Sequence, residues 1–427
     1  MDSVPASGDA ARALHTALTA LQRGDPAAAR TAAEAALGGF AGASDRTGTA
    51  AAHQLLAMIL VGAGDLAGAL DHVDAALPLR EATGDREGVA ALWQERMEIC
   101  LRLGDGDAAL AAASAQVRSL DGAEDREGRA HARHQLAQLQ LQSGDVDAAE
   151  TTLQDALWEL EGPGWARARS AVQLQLASVW MARQDPERAL GVARQALEGA
   201  RGAQHRPAEI DAIQHIGVIL AAKGDLHPAC RALEDALVGR ELLKDVDGKI
   251  SVLRELGPLE VALGRVEEGV GRLLRASELL AEQDALRPAL ATAQVAMSLA
   301  EDAGHREAAL TAAQGMVGLA SRTGDPEAVA AATFLLATRL AGAGQLDEAA
   351  ARFGEAHAAQ AALGLKHDAA VSLGMLGQVR VARGEHAAGR AALAESHAEL
   401  AALGSEAAAT VREILDELTA AGAAQGS

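Results

Sequence analysis

The chain has 427 residues, enough for two or three domains at roughly 150 residues each, yet 44 Gly, 10 Pro and only 2% aromatic residues supply little bulk for several globular cores. Four Trp, three Phe and no Tyr leave the interior to Ala, Leu and Val; Ala and Leu favour helix and allow close helix contact, which predicts an all-α chain. With 38 basic residues against 59 acidic ones and a net charge of -21, a nucleic-acid partner is disfavoured, because phosphates are met by clustered Lys and Arg.

The N-terminal residues 1–8 carry neither a basic patch nor an apolar run and are expected to be disordered, and nowhere do 18 uninterrupted apolar residues occur. The sequence thus reads as a soluble, cytoplasmic protein with no membrane partner. Cys100 and Cys230 stand 130 residues apart inside helical patterns, which suits small core residues in a reducing compartment rather than a disulfide. Only Lys223, Lys244, Lys249 and Lys366 are lysines and Asn is absent, a bias that fits a GC-rich coding background.

Self-similarity organises the whole chain. Gly stands at 24, 64, 104, 144, 224, 264, 304, 344 and 384, with Gln184 in the one gap, so the period is forty residues over ten units. The next residue is Asp25, Asp65, Asp105, Asp145, Asp185 and Asp225, then Arg265, His305, Gln345 and Glu385. Gly ends one helix in a left-handed turn, and the Asp carboxylate accepts the free N–H groups that open the next. Pro26, Pro186 and Pro326 follow at the first helical position, where no N–H is needed. A second turn falls halfway, at Asp45, Asp85, Asp125, Asp245 and Asp325. Each unit is therefore two helices of about 15 to 17 residues.

The contact positions recur with the turns. Ala29, Ala69, Ala109, Ala149, Ala189, Ala229, Gly269, Ala309, Ala349 and Gly389 are small in every unit, so two helices must cross closely there. Ala36, Ala76, Ala156, Ala196, Ala236, Ala276 and Ala356 lie seven residues on, preceded at three residues by apolar side chains such as Val73, Leu153, Leu233 and Phe353, which marks the buried stripe of the second helix. In the first helix a large aliphatic residue precedes a small one, as in Leu56-Ala57, Leu136-Ala137, Leu256-Gly257 and Leu376-Gly377. Two places depart from the pattern. Gly162-Pro163-Gly164-Trp165 is either a hinge or a different turn, and Pro258 should kink its helix.

These residues resemble the tetratricopeptide repeat, whose pattern places Leu-Gly in helix A, Gly-Asp at the turn and small residues at two points of helix B. The unit is lengthened to forty residues, and the segments Gly84-Asp85-Arg86-Glu87-Gly88 and Glu124-Asp125-Arg126-Glu127-Gly128 resemble the long-helix subgroup found in spindle-orientation adaptors, bacterial peptide-pheromone receptors and sensor domains of transcription activators. Of the family's aromatic positions, Trp93 and Phe353 remain. The resemblance implies an all-α, right-handed α-solenoid of about ten helix-turn-helix repeats over residues 9–404, a capping helix over 405–421 with Val411, Ile414, Leu415 and Leu418 on one face, and a disordered tail over 422–427.

No phosphate-binding Gly-rich loop, His-Glu-x-x-His, Cys-x-x-Cys or nucleophile elbow is present, and the reading is of a protein with no enzymatic activity, cofactor or metal. His131 and His134 share a helix face, but a third ligand such as Glu98 would have to come from the neighbouring unit. The informative position lies two residues before the repeated large aliphatic, on the face that the resemblance makes concave: Gln54, Gln94, His134, Leu174, Gln214, Arg254 and Gln294. One turn on stand Met58, Glu98, Gln138, Ser178, Val218, Pro258 and Ser298. Gln offers donors and an acceptor, so a row of them can pair with a main chain whatever its sequence; the plain alternative is a solvated face.

The leading expectation is a protein–protein interaction scaffold that binds an extended peptide segment along Gln54, Gln94, Glu98, His134, Gln138, Gln214, Arg254 and Gln294. The alternatives are a bacterial regulator responsive to a peptide or small ligand, which the resemblance to pheromone receptors implies, and an enzyme or enzyme accessory in a biosynthetic cluster.

Overall fold

A computed structural model describes residues 4–162 and 164–425, which form 21 α-helices and no strand. The chain divides into two compact units, Met1–His215 and Ile216–Ser427. The first holds α1 (Val4–Gln22), α2 (Pro26–Gly42), α3 (Arg46–Ala63), α4 (Leu66–Thr83), α5 (Arg86–Leu103), α6 (Gly106–Ser119), α7 (Arg126–Gln142), α8 (Val146–Glu159), α9 (Ala166–Ala182) and α10 (Pro186–Gly202). The boundary lies within α11 (Arg206–Ala222). The second unit continues with α12 (Leu226–Leu243), α13 (Val246–Ala262), α14 (Val266–Glu282), α15 (Leu286–Asp302), α16 (Arg306–Thr323), α17 (Pro326–Gly342), α18 (Leu346–Ala362), α19 (Lys366–Ala382), α20 (His386–Ala402) and α21 (Ala407–Gln425).

Helix extends further at both ends than the composition suggested. Residues 4–8 belong to α1, where Pro5 suits a first turn, and α21 continues through 422–425, a stretch rich in helix-favouring Ala. Residues 1–3 and 426–427 lie outside the described residues.

The turns explain the gap in the glycine series. A left-handed residue returns about every twenty positions, at Gly24, Gly64, Gly84 and Gly104 among others, and Ser44, Gln184, Gln204, Lys244 and Asp284 take the same conformation with φ between 53° and 61°. Gln184 therefore keeps the backbone of the repeat without its glycine. The following N–H reaches back to the helix it leaves, as from Asp65 to the Leu60 carbonyl at 2.9 Å and from Asp105 to that of Cys100 at 2.9 Å, which satisfies carbonyls that the helix end would otherwise orphan.

The aspartates then open the next helix. Asp25, Asp65, Asp105, Asp145 and Asp185 each accept a backbone N–H three residues on at 2.9–3.1 Å, and Asp45, Asp85, Asp125 and Asp245 each accept one from Gly48, Gly88, Gly128 and Gly248 at 2.9 Å. A Cβ on Gly128 or Gly248 would stand 2.3 Å from the capping carboxylate as it is placed there, whereas Ala28, Ala108, Ala148 and Arg188 receive the same bond with their side chains in place. His305 caps α16 through its ring nitrogen, whereas Arg265, Gln345 and Glu385 make no side-chain cap.

The small positions are where helices cross. Ala29, Ala69, Ala109, Ala149, Ala189 and Ala229 are completely buried, as are Ala36, Ala76, Ala156, Ala196 and Ala236. Their cores are local, one cluster drawing on α3, α4 and α5 around Leu60, Val73 and Leu92, another on α7, α8 and α9 around Leu153, Leu160 and Val179. In the second unit a longer cluster runs from α14 to α20 around Phe353 and Leu340, and a separate cluster packs Val411 of α21 beside Leu393 and Leu400. That local stacking is what a repeat with a forty-residue period requires.

Cys100 and Cys230 are free and buried in the first and second unit respectively. Pro258 does not interrupt α13, nor does Pro78 interrupt α4. At 162–165, Pro163 lies outside the described residues; Leu160 before it is fully buried and Trp165 after it packs on the same core. The boundary between the compact units falls in α11.

Candidate functional site

First helices of successive pairs also touch one another, α1 with α3, α7 with α9 and α13 with α15, and so do the second helices α14 and α16. Each unit thus has a layer of first helices, and the ladder positions lie on that layer.

Three openings mark it. Between α7 and α9 a cavity of about 550 Å³ is bordered by His131, His134, Arg167 and Val172 over Leu160. Between α13 and α15 one of about 520 Å³ takes Ile250, Ser251, Arg254 and Glu255 from one side and Thr292 and Val295 from the other. The third, about 270 Å³, lies among α1, α3 and α5.

The ladder residues do not all face solvent. Gln54 is drawn into the protein: its amide donates to Glu95 Oε1 at 2.5 Å and its carbonyl accepts from Arg80 Nη2 at 3.2 Å, which ties α3, α4 and α5 together. Gln94 donates to Glu98 Oε1 on its own helix at 3.1 Å. Gln214 is buried, while Glu98, Gln138, Arg254 and Gln294 are exposed. His134 is half-buried, and burial, reinforced by the neighbouring His131, pushes its pKa below the usual histidine value. His134 and Arg254 border the two larger openings; Gln294 lies between Thr292 and Val295 but outside the lining of theirs.

Arg254 makes no ion pair among the described residues, and Asp247, two turns earlier on the same helix and in the same lining, is occupied by Gln283 Nε2 at 2.7 Å. A guanidinium so placed presents its planar fork to a carboxylate. Glu95, passed over in the sequence because it sits one residue beyond the ladder, is raised above the usual carboxylate range by burial, and by Glu98, against the bond from Gln54. Only the cross-helix contact from Gln54 gives Glu95 its place, and no spacing within one helix signals it.

His131, His134 and Glu98 are not assembled, since the histidines border one opening and Glu98 another. Among the described residues no group of three or more His, Cys, Asp or Glu could hold a metal ion, and no helix is long and apolar enough to cross a membrane. The buried Glu159 has a structural setting: Arg129 Nε donates to it at 2.9 Å and Arg133 approaches at 3.5 Å, so α7 is tied to the end of α8.

No known family profile and no curated protein matches the chain. Solved structures similar to it include BtubC (BKLC) from P. vanneervenii, 20% identical over 51% of this chain and 92% of that one with a TM-score of 0.44. A signal transduction ATPase with a tetratricopeptide repeat sensor from Pyrococcus horikoshii is 15% identical over 77% of this chain, with a TM-score of 0.49; the match spans about half, 52%, of that protein. A tetratricopeptide repeat protein from Parabacteroides merdae is 14% identical over 67% of this chain and 98% of that one, with a TM-score of 0.47. Helix pairs at a forty-residue period, joined by left-handed turns and many of them opened by carboxylate caps, make this chain an all-α array of helix-pair repeats whose sequence pattern resembles the tetratricopeptide repeat.

Proposed function

We propose that the chain is a non-enzymatic interaction module which binds a segment of another protein on the layer of first helices. The observation that carries this reading is the pair of open cavities between successive first helices, one in each compact unit, each bordered by a ladder residue, His134 or Arg254. Their volumes fall within the roughly 300–1,000 Å³ of ligand sites, and their mixed walls suit a peptide, with main-chain groups for the polar side chains and apolar groups for Ile250 or Val172.

First helices about 8 to 10 Å from the intervening second helices set successive rungs very roughly 10 Å apart on the inner side. An extended chain advances about 3.3 Å per residue, so it meets a rung at about every third residue. Arg254 is the anchor for an acidic group in the second unit.

The test uses a partner segment identified by capture from a native lysate and resynthesised with a fluorescent label. Arg254→Ala with Gln294→Ala should weaken its binding at least tenfold, about 1.4 kcal/mol. Arg275→Ala with Glu278→Ala, an exposed ion pair on the second helix α14, should leave binding unchanged. Equal losses from both pairs, or none from the first, would place the binding surface elsewhere.

A further inference from the structure

The smallest of the three openings differs in chemistry from the others. Its walls are Leu21 of α1, Met58 and Val61 of α3, and Ile99 of α5. Met58 is 48% exposed and Leu18, one turn before Leu21 on α1, is 42% exposed, apolar surface left open to water beside an opening whose walls are more apolar than the mixed walls of the other two. At about 270 Å³ the space lies below the roughly 300–1,000 Å³ usual for a drug-sized ligand, so it suits one side chain rather than a whole small molecule.

Two carboxylates border this apolar space, and both are held by ladder glutamines. Glu95 accepts from Gln54 at 2.5 Å and Glu98 from Gln94 at 3.1 Å. Arg102 is the one basic residue in the lining, and it makes no ion pair among the described residues. Arg80, the next guanidinium near Glu95, is engaged by Asp85 and Gln54. The opening therefore combines an apolar floor with an excess of one negative charge, Glu95 half-buried and Glu98 exposed, and an incoming cation gains Coulomb attraction most from the half-buried carboxylate. Burial first, and Glu98 beside it, raise the Glu95 pKa against the bond from Gln54 and the charge of Arg80.

We propose that the opening among α1, α3 and α5 seats an aliphatic side chain of a partner peptide whose adjacent residue is Lys or Arg, the aliphatic group filling the space lined by Met58 and Ile99 and the cation meeting Glu95 and Glu98. This deepens the interaction reading and rests on it. Gln54 and Gln94 are then positioning residues that aim the two carboxylates, and not contacts to the peptide main chain. A second copy of the chain is a poorer occupant, because each copy carries a net charge of -21.

A short linear peptide library displayed on phage and selected against the full chain tests the proposal, followed by fluorescence anisotropy with the enriched peptides. The expected result is enrichment of an aliphatic residue next to Lys or Arg. Binding of those peptides should fall at least about tenfold with Glu95→Gln/Glu98→Gln, and again with Met58→Lys, while Arg254→Ala/Gln294→Ala changes it less than about twofold. The glutamine variants preserve shape and can still accept from Gln54 and Gln94, so a lost signal does not arise from misfolding. Enriched peptides without a cation, or none at all, overturn the proposal. Peptides lost with Arg254→Ala/Gln294→Ala but kept by Glu95→Gln/Glu98→Gln overturn it while leaving the broader interaction reading intact; peptides indifferent to both sets overturn both. Concentration-dependent self-association abolished by the glutamine variants would assign the opening to a second copy and also overturn the proposal.

Discussion

Replacing Gly269 by Ala tests the helix crossings most sharply, because intrinsic helix preference and packing pull in opposite directions. The small residue of α14 faces Gly257 of α13, and a Cβ on Gly269 would lie 2.4 Å from the Gly257 carbonyl oxygen and 3.0 Å from the Val261 amide nitrogen. Backbone atoms cannot rotate aside, so α13 and α14 must separate by most of an ångström. Overpacking of this kind costs about 1–3 kcal/mol, against a gain of about 1 kcal/mol for Ala over Gly within a helix.

Gly271→Ala on the same helix isolates the gain, since nothing lies within 4 Å of a Cβ there. The difference between the two variants, expected at about 1–3 kcal/mol, therefore measures the clash alone. Thermal unfolding followed by far-UV circular dichroism resolves it, at about 2–4 °C per kcal/mol for a unit of this size. Gly271→Ala should raise the midpoint and Gly269→Ala should fall below it. If Gly269→Ala stabilises as much as Gly271→Ala, the helices do not cross where Gly257 and Gly269 meet.

Glu159→Gln should destabilise the first unit by about 3 kcal/mol, since it leaves the half-buried Arg129 without its carboxylate and Arg133 with Asp121 alone. Bonding from Arg129 lowers the Glu159 pKa, so its stabilisation is in place above the ordinary carboxylate value of 4.5 and is lost as pH falls through the lowered folded value; urea midpoints against pH should show that slope in the parent and not in the variant. Gln184→Gly should stabilise by up to about 1 kcal/mol, because a side-chain-bearing residue is strained at φ 59°, and chemical denaturation reads the sign. Asp245→Ala removes both the cap to Gly248 at 2.9 Å and the ion pair to Arg240 at 2.8 Å and should cost about 1–2 kcal/mol by the same assay. His53 and His72 share a bond between their Nδ1 atoms at 2.8 Å. Burial lowers both pKa values, with Asp71, Glu34 and Asp65 opposing and Arg30 assisting at His72. The unfolded chain then takes protons first, and stability should decline as pH falls from 6.5 through the lowered folded values; His72→Gln should flatten that decline.

The repeat was legible because each of its elements has a local cause. A left-handed turn, a capping carboxylate and a small crossing residue are each set within a few positions, so Gly24-Asp25 and Ala29 announce a helix pair without knowledge of the rest. Gln184 shows the limit: the glycine is a preference of the turn, and the backbone persists where neighbouring helices over-determine it. The ladder was less legible. Its register was visible at forty-residue steps, but whether a glutamine faces solvent or a neighbouring carboxylate depends on helices far along the chain, and Gln54 finds Glu95 forty-one residues away. Glu95 itself bears no periodic mark, and its burial follows from the packing of α5 against α3.

The claim that partners dock on the first helices is tested most directly by a photo-crosslinking residue placed at Gln294 of α15 and, separately, at Glu278 of α14, both exposed. With the captured partner segment present, the Gln294 derivative should yield a covalent adduct whose partner residue maps by mass spectrometry to one short stretch, and the Glu278 derivative should yield none. Adducts from Glu278 alone would put the interaction on the second helices and contradict the account.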